Sequence, residues 1–118
     1  MIEIIAGEKG KGKTKELLAK VNHSVTAASG NIVYLDKSQK HMYELNNKVR
    51  LIDVSGYPIK NADEFIGFVC GIVSQDHDLQ EMYLDSFLEK TQNWKGKDIT
   101  DALHQLKEFP KHTRLILY

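Results

Sequence analysis

The chain has 118 residues, 42% hydrophobic and 27% charged, which is enough for one domain with one core and is an ordinary globular balance. Its 16 basic and 16 acidic residues cancel, so no global field draws it to nucleic acid or to an anionic membrane, and any electrostatic specificity must be local. Cys70 is the single cysteine, which excludes an internal disulfide and fits a reducing compartment.

Met1 runs straight into IEIIAG with no basic segment and apolar core of a signal peptide, so a cytoplasmic protein is expected. IEIIA (2–6) has the composition of a short buried strand. From Lys13 the pattern changes, with Leu17, Leu18, Val21 and Val25 at helical spacing, and Gly30 offers a stop. NIVYLD (31–36) reads as a second strand. The stretch 37–48 is compatible with a short helix that turns Met42 and Leu45 inward. VRLIDV (49–54) is a third strand, closed by the turn signal SGYP. Residues 62–74 form an unusually apolar helix whose core, FIGFVCGIV (65–73), is about half as long as a bilayer crossing, so no membrane span is expected. EMYLD (81–85) is a fourth strand, 98–109 a helix capped by Asp98 and ended by Pro110, and RLILY (114–118) a fifth strand. Near-continuously apolar strands alternating with helices predict one α/β domain over 1–118: a three-layer α/β/α arrangement with a five-stranded parallel sheet.

Between the first strand and the first helix lies GEKGKGKT. Gly7, Gly12, Lys13 and Thr14 fill the fixed positions of G-x-x-x-x-G-K-[ST]. Gly7 leaves the strand at a crowded turn, and Gly12 lets backbone approach a phosphate. The amides from Lys9 to Thr14 can then converge as an anion nest. Lys13 reaches the β- and γ-phosphates as a point charge, the Thr14 hydroxyl is placed to ligand Mg²⁺, and the helix directs its positive end at the same anion. Glu8, Lys9, Gly10, Lys11 and Lys15 complete the loop and its flank, with Lys11 adding phosphate attraction beside Gly12.

This stretch, taken with its flanks over residues 2–28, resembles the Walker A element of P-loop nucleoside triphosphatases. The chain as a whole resembles small P-loop proteins of Gram-positive anaerobes, some of them labelled twitching-motility ATPases. The further acidic and histidine motifs and the N-terminal domain of the motor ATPases have no counterpart here. Glu8 stands where the deviant loop of partitioning ATPases carries a lysine. The resemblance implies a P-loop fold with nucleotide bound at the C-terminal strand ends.

A P-loop requires a carboxylate at the end of a neighbouring strand to hold Mg²⁺. Asp36, Asp53 and Asp85 each end a strand. Asp85, in EMYLDSF, is favoured as the catalytic and Mg²⁺-binding acid, working with Lys13 and Thr14. Asp53 and Gly56 have the D-x-x-G spacing of GTPases, but NKVR (47–50) lacks the aspartate of a guanine-recognition motif, so ATP is expected over GTP. Ser86 follows Asp85 where many ATPases place a glutamate, and Glu89 is the nearest substitute. Absence of a positioned base costs a factor of roughly 10²–10⁴ in hydrolysis. Arg50 and Arg114 both begin strands, at the wrong end of the sheet for an arginine finger.

The apolar helix aligns Phe65, Ile66, Val69, Cys70 and Val73, with Phe68 and Ile72 spreading round it and little wet side left. Cys70 reads as a small core residue. Gly67 and Gly71 would admit a close helix, so this segment is a candidate surface for a protein partner or a second copy. His23, His41, His77, His104 and His112 show no paired ligand spacing, which argues against zinc. No aromatic residues interleave a basic groove, so no nucleic-acid partner is indicated. Trp94, in QNWKGKD, is a loop anchor or a partner contact. The leading expectation is an ATP-binding protein with weak or partner-dependent ATPase activity. The alternatives are a nucleotide-kinase-type phosphotransferase and a non-enzymatic nucleotide switch.

Overall fold

The computed structural model describes residues 2–4, 13–36, 38–85, 104–105 and 113–117. In chain order the elements are β1 (Ile2–Ile4), α1 (Lys13–Ala27), β2 (Asn31–Asp36), a 3₁₀ turn (Met42–Glu44), β3 (Val49–Asp53), a second 3₁₀ turn (Val54–Gly56), α2 (Ala62–Ser74), β4 (Leu79–Leu84) and β5 (Arg114–Leu117). The expected loop residues Gly7 to Gly12, the helix over 98–109 apart from two helical residues at 104–105, Ser86, Glu89, Trp94 and Tyr118 lie outside the described residues.

The strands stand side by side in the order β1-β5-β4-β2-β3, and every neighbouring pair is parallel. The fold is therefore α/β with a parallel sheet, as the alternation of apolar strands and helices predicts. β1 contributes three residues at one side, while β5, β4, β2 and β3 carry the described core.

Period-two alternation sends successive strand residues to opposite faces. Ile32 and Tyr34 of β2, Tyr83 of β4 and Ile116 of β5 pack with Leu17, Leu18 and Val21 of α1. Val33 and Leu35, Met82 and Leu84, and Leu115 turn the other way and pack with Phe65, Ile66 and Val69 of α2. Both faces of the central strands are thus covered, which is why β2 reads as a continuous apolar run.

Gly30 does more than stop α1. A Cβ there would collide with the carbonyl oxygen of Asp78. The turn is held by Asn31, whose amide donates to Asp78 O at 2.7 Å, and by Gln80 Oε1, which accepts from the amides of Ser29 and Gly30. The helix end and the start of β4 therefore meet at the N-terminal edge of the sheet.

Four expectations change. β4 begins at Leu79, two residues before the apolar run EMYLD, because Leu79 is buried although its neighbour Gln80 is polar. Met42 is 43% exposed, since the short 3₁₀ turn buries no residue, and only Leu45 packs inward. Cys70 is exposed, not core. α2 has a wet side after all: Asp63, Glu64, Gly67, Cys70, Gly71 and Ser74 are exposed, and a helix on one face of a sheet buries one stripe only.

Candidate functional site

Because all the strands are parallel, their C-terminal ends share one edge. Ala28, Ser29 and Gly30 alone separate the end of α1 from the start of β2, so α1 runs back against the strands and its N-terminus points to that edge. Lys13 and Thr14 form the first turn of α1, where the spacing predicts the phosphate-binding helix to start. For these two residues the backbone is described. Lys15, the next residue, is exposed.

Strand order then separates the three candidate acids. Neighbouring strands lie about 4.8 Å apart, so β4 is roughly 10 Å from β1, β2 roughly 14 Å and β3 roughly 19 Å. β4 is not the strand beside β1, since β5 lies between them. Asp53, at the end of β3, is the farthest of the three. Its carboxylate accepts from Ser55 N at 3.0 Å and so caps its own turn.

Asp85 directly follows β4 and is 1% exposed. Its amide donates to Leu35 O at 3.0 Å, which ties the end of β4 to β2. The Tyr34 hydroxyl donates to Asp85 Oδ2 at 2.7 Å, and the Tyr34 ring stacks on Tyr83 with centroids 6.3 Å apart. This carboxylate is buried and held.

Asp36 ends β2 beside it, 2% exposed. His41, on the connection leaving β2, completes a group in which one donor atom from each of Asp36, His41 and Asp85 lies within 4.8 Å of the others. Sequence spacing does not reveal this trio: the histidines have no mutual ligand spacing, and the two aspartates are supplied by adjacent strands that are distant in sequence. The available signal was a pair of strands each ending in aspartate, with a histidine five residues after the first.

The segment carrying His41 is anchored to α1. Asn22 Nδ2 donates to Glu44 O at 2.7 Å, and Asn22 Oδ1 accepts from Asn46 N at 2.7 Å. His41 Nδ1 lies 3.5 Å from Glu44 Oε1. His23, His77 and His104 are exposed, and His112 lies outside the described residues.

The arginines sit where the sequence predicts, at strand beginnings. Arg114 Nη1 pairs with Glu81 Oε2 at 3.3 Å, and Arg50 Nη1 with Asp76 Oδ2 at 3.3 Å. Tyr83 belongs to the first of these groups, its hydroxyl lying 3.1 Å from Glu81 Oε1 and 3.2 Å from Ser24 Oγ. Burial, reinforced by the Glu81 charge, pushes the phenol up to about 12 against the lowering effect of the Ser24 contact.

Among the described residues no helix is long and apolar enough to cross a membrane. No known family model matches the chain, and no curated protein shows a significant match to it.

Proposed function

We propose that the chain binds a magnesium nucleoside triphosphate, ATP before GTP, through Gly7 to Lys15, and turns it over slowly or only with a partner. The finer fold assignment, a three-layer P-loop domain with a five-stranded parallel sheet, belongs to the same proposal. One observation carries it: Lys13 and Thr14 open a helix of 15 residues that points its positive end at the C-terminal edge of a parallel sheet, where Asp85 is buried. Spacing across the sheet supports Asp85 over Asp53, because roughly 10 Å can be bridged by an ion and a phosphate chain and roughly 19 Å cannot.

Thr14 and Asp85 would hold Mg²⁺, which neutralises phosphate charge when bound. Lys13 would contact the outer phosphates. Weak turnover follows from the arginines, both committed to ion pairs at the opposite edge. Calorimetric titration with ATP, GTP and ADP in Mg²⁺ tests the reading. ATP should bind, and Lys13→Ala should weaken it by a factor of ten or more while leaving the unliganded melting temperature unchanged. Failure to bind millimolar triphosphate, or equal binding by the variant, rejects it. Phosphate release with and without an acceptor separates a hydrolase from a phosphotransferase, and tight binding without turnover identifies a switch.

A further inference from the structure

We propose that Asp36, His41 and Asp85 form a binding site for a first-row transition-metal dication, of the Mn²⁺ to Zn²⁺ class, in the crevice between the ends of β2 and β4. The site shares Asp85 with the nucleotide reading but does not rest on it, since it requires no residue of the glycine-rich loop.

Chemistry of the donor set comes first. Metal bonds of about 2.0–2.2 Å place donors on one ion roughly 3–4.4 Å apart. One donor atom from each of the three residues already lies within 4.8 Å of the others, so small side-chain rotations suffice. Two carboxylates and an imidazole suit Mn²⁺, Co²⁺ and Zn²⁺, whereas the imidazole nitrogen gives Mg²⁺ no advantage over oxygen.

Electrostatics points the same way. Asp36 and Asp85 are 2% and 1% exposed and their carboxylates are close together. A dication held there would meet an oxygen ligand from each of the two carboxylates at once, the donor type that hard and borderline divalent ions take. The ligands are also supported from behind. Tyr34 orients Asp85 by its 2.7 Å hydrogen bond. Glu44 stands 3.5 Å from Nδ1 of His41, the position of an outer carboxylate that aligns a ligating ring. Asn22 pins the turn that presents that ring.

Topology supplies an independent reason. From β2 the chain moves outward to β3, and from β4 it moves the opposite way to β5, although β2 and β4 are neighbours. Their connections diverge, and in open parallel sheets the crevice outside the strand ends at such a reversal is where ligands bind. Asp36 and Asp85 are the residues at those two strand ends.

The test uses the full, untagged chain without nucleotide. Calorimetry with Zn²⁺ and Mn²⁺, and visible absorption with Co²⁺, should each report one saturable equivalent. His41→Ala and Asp36→Asn should each weaken binding by about 10- to 100-fold or more, while His77→Ala and His104→Ala bind as the parent does. His41 is partly exposed, so its variant keeps the far-ultraviolet circular dichroism of the parent even where Asp36→Asn alters it. Absence of saturable one-to-one binding of all three ions, or unchanged affinity in His41→Ala, overturns the site. Because ATP is absent throughout, failure of the nucleotide reading leaves this result standing, and ATP binding by a chain that takes no ion overturns the metal site alone.

Discussion

Tyr34 and Tyr83 are register partners on β2 and β4 with stacked rings, yet their hydroxyls serve opposite ends of the sheet. Tyr34 reaches Asp85 at the C-terminal edge, and Tyr83 reaches Glu81 and Ser24 toward the N-terminal one. Neither Tyr34 with Asp85 nor Tyr83 with Ser24 was legible in the sequence, because these partners are 51 and 59 residues apart and meet only once the fold sets the register. Tyr83 yields a prediction. Burial favours its neutral phenol, so the group should titrate at about 12 in the folded chain, against an ordinary value of about 10. The folded state therefore holds this proton more tightly than the unfolded state does. The resulting stability is fully present below about pH 10 and is lost as pH rises through the folded value. The ultraviolet difference titration of the parent minus Tyr83→Phe should show the late ionisation. A difference signal centred near the ordinary tyrosine value would reject it.

At the scale of elements, apolar periodicity places α2 at Ala62–Ser74 and β2 at Asn31–Asp36, with the observed bounds. The α2 start has a local cause: Asn61 caps it, its side chain accepting from Glu64 N at 2.9 Å. Composition fails where it must choose a side. The helix is apolar almost all round, so nothing in its composition turns Cys70 outward, and only the position of the sheet selects Phe65, Ile66 and Val69 as the buried stripe. On the outer side, apart from its chain neighbours and the backbone of its own helix, no heavy atom of the described residues lies within 4 Å of where a Cβ on Gly67 or Gly71 would stand. Alanine at either position should therefore gain its helix propensity without a clash, raising stability by about 0.5–1 kcal/mol each in urea unfolding. The proposal that this face receives a partner or a second copy through close backbone approach predicts a cost to association alone. Sedimentation of Gly67→Ala beside the parent separates the two effects, and a destabilised monomer would show that the face is packed.

Across the whole molecule, the position of the candidate residues depends on strand order, which apolar pattern does not encode. The motif G-K-T and the three strand-end aspartates are readable as residues, but which aspartate is near β1, and that Asp36 and Asp85 are neighbours, follow only from β1-β5-β4-β2-β3. The same order grades stability. β2 and β4 each pair on both sides and are covered on both faces, whereas β3 pairs only with β2 among the described strands and leaves Arg50 exposed. Opening β3 exposes few fully buried side chains, since Leu51 and Ile52 are only partly buried, while opening β2 or β4 uncovers both cores at once. Native-state hydrogen exchange should accordingly find the slowest amides in β2 and β4, with the hydrogen-bonded amides of β3 faster by on the order of tenfold or more. Equal protection would mean that β3 opens only with the rest of the sheet, through a contact on its outer side. Protection graded by strand order would instead leave the ends of β2 and β4 as the most rigid part of the C-terminal edge, the property that a preorganised ligand set requires.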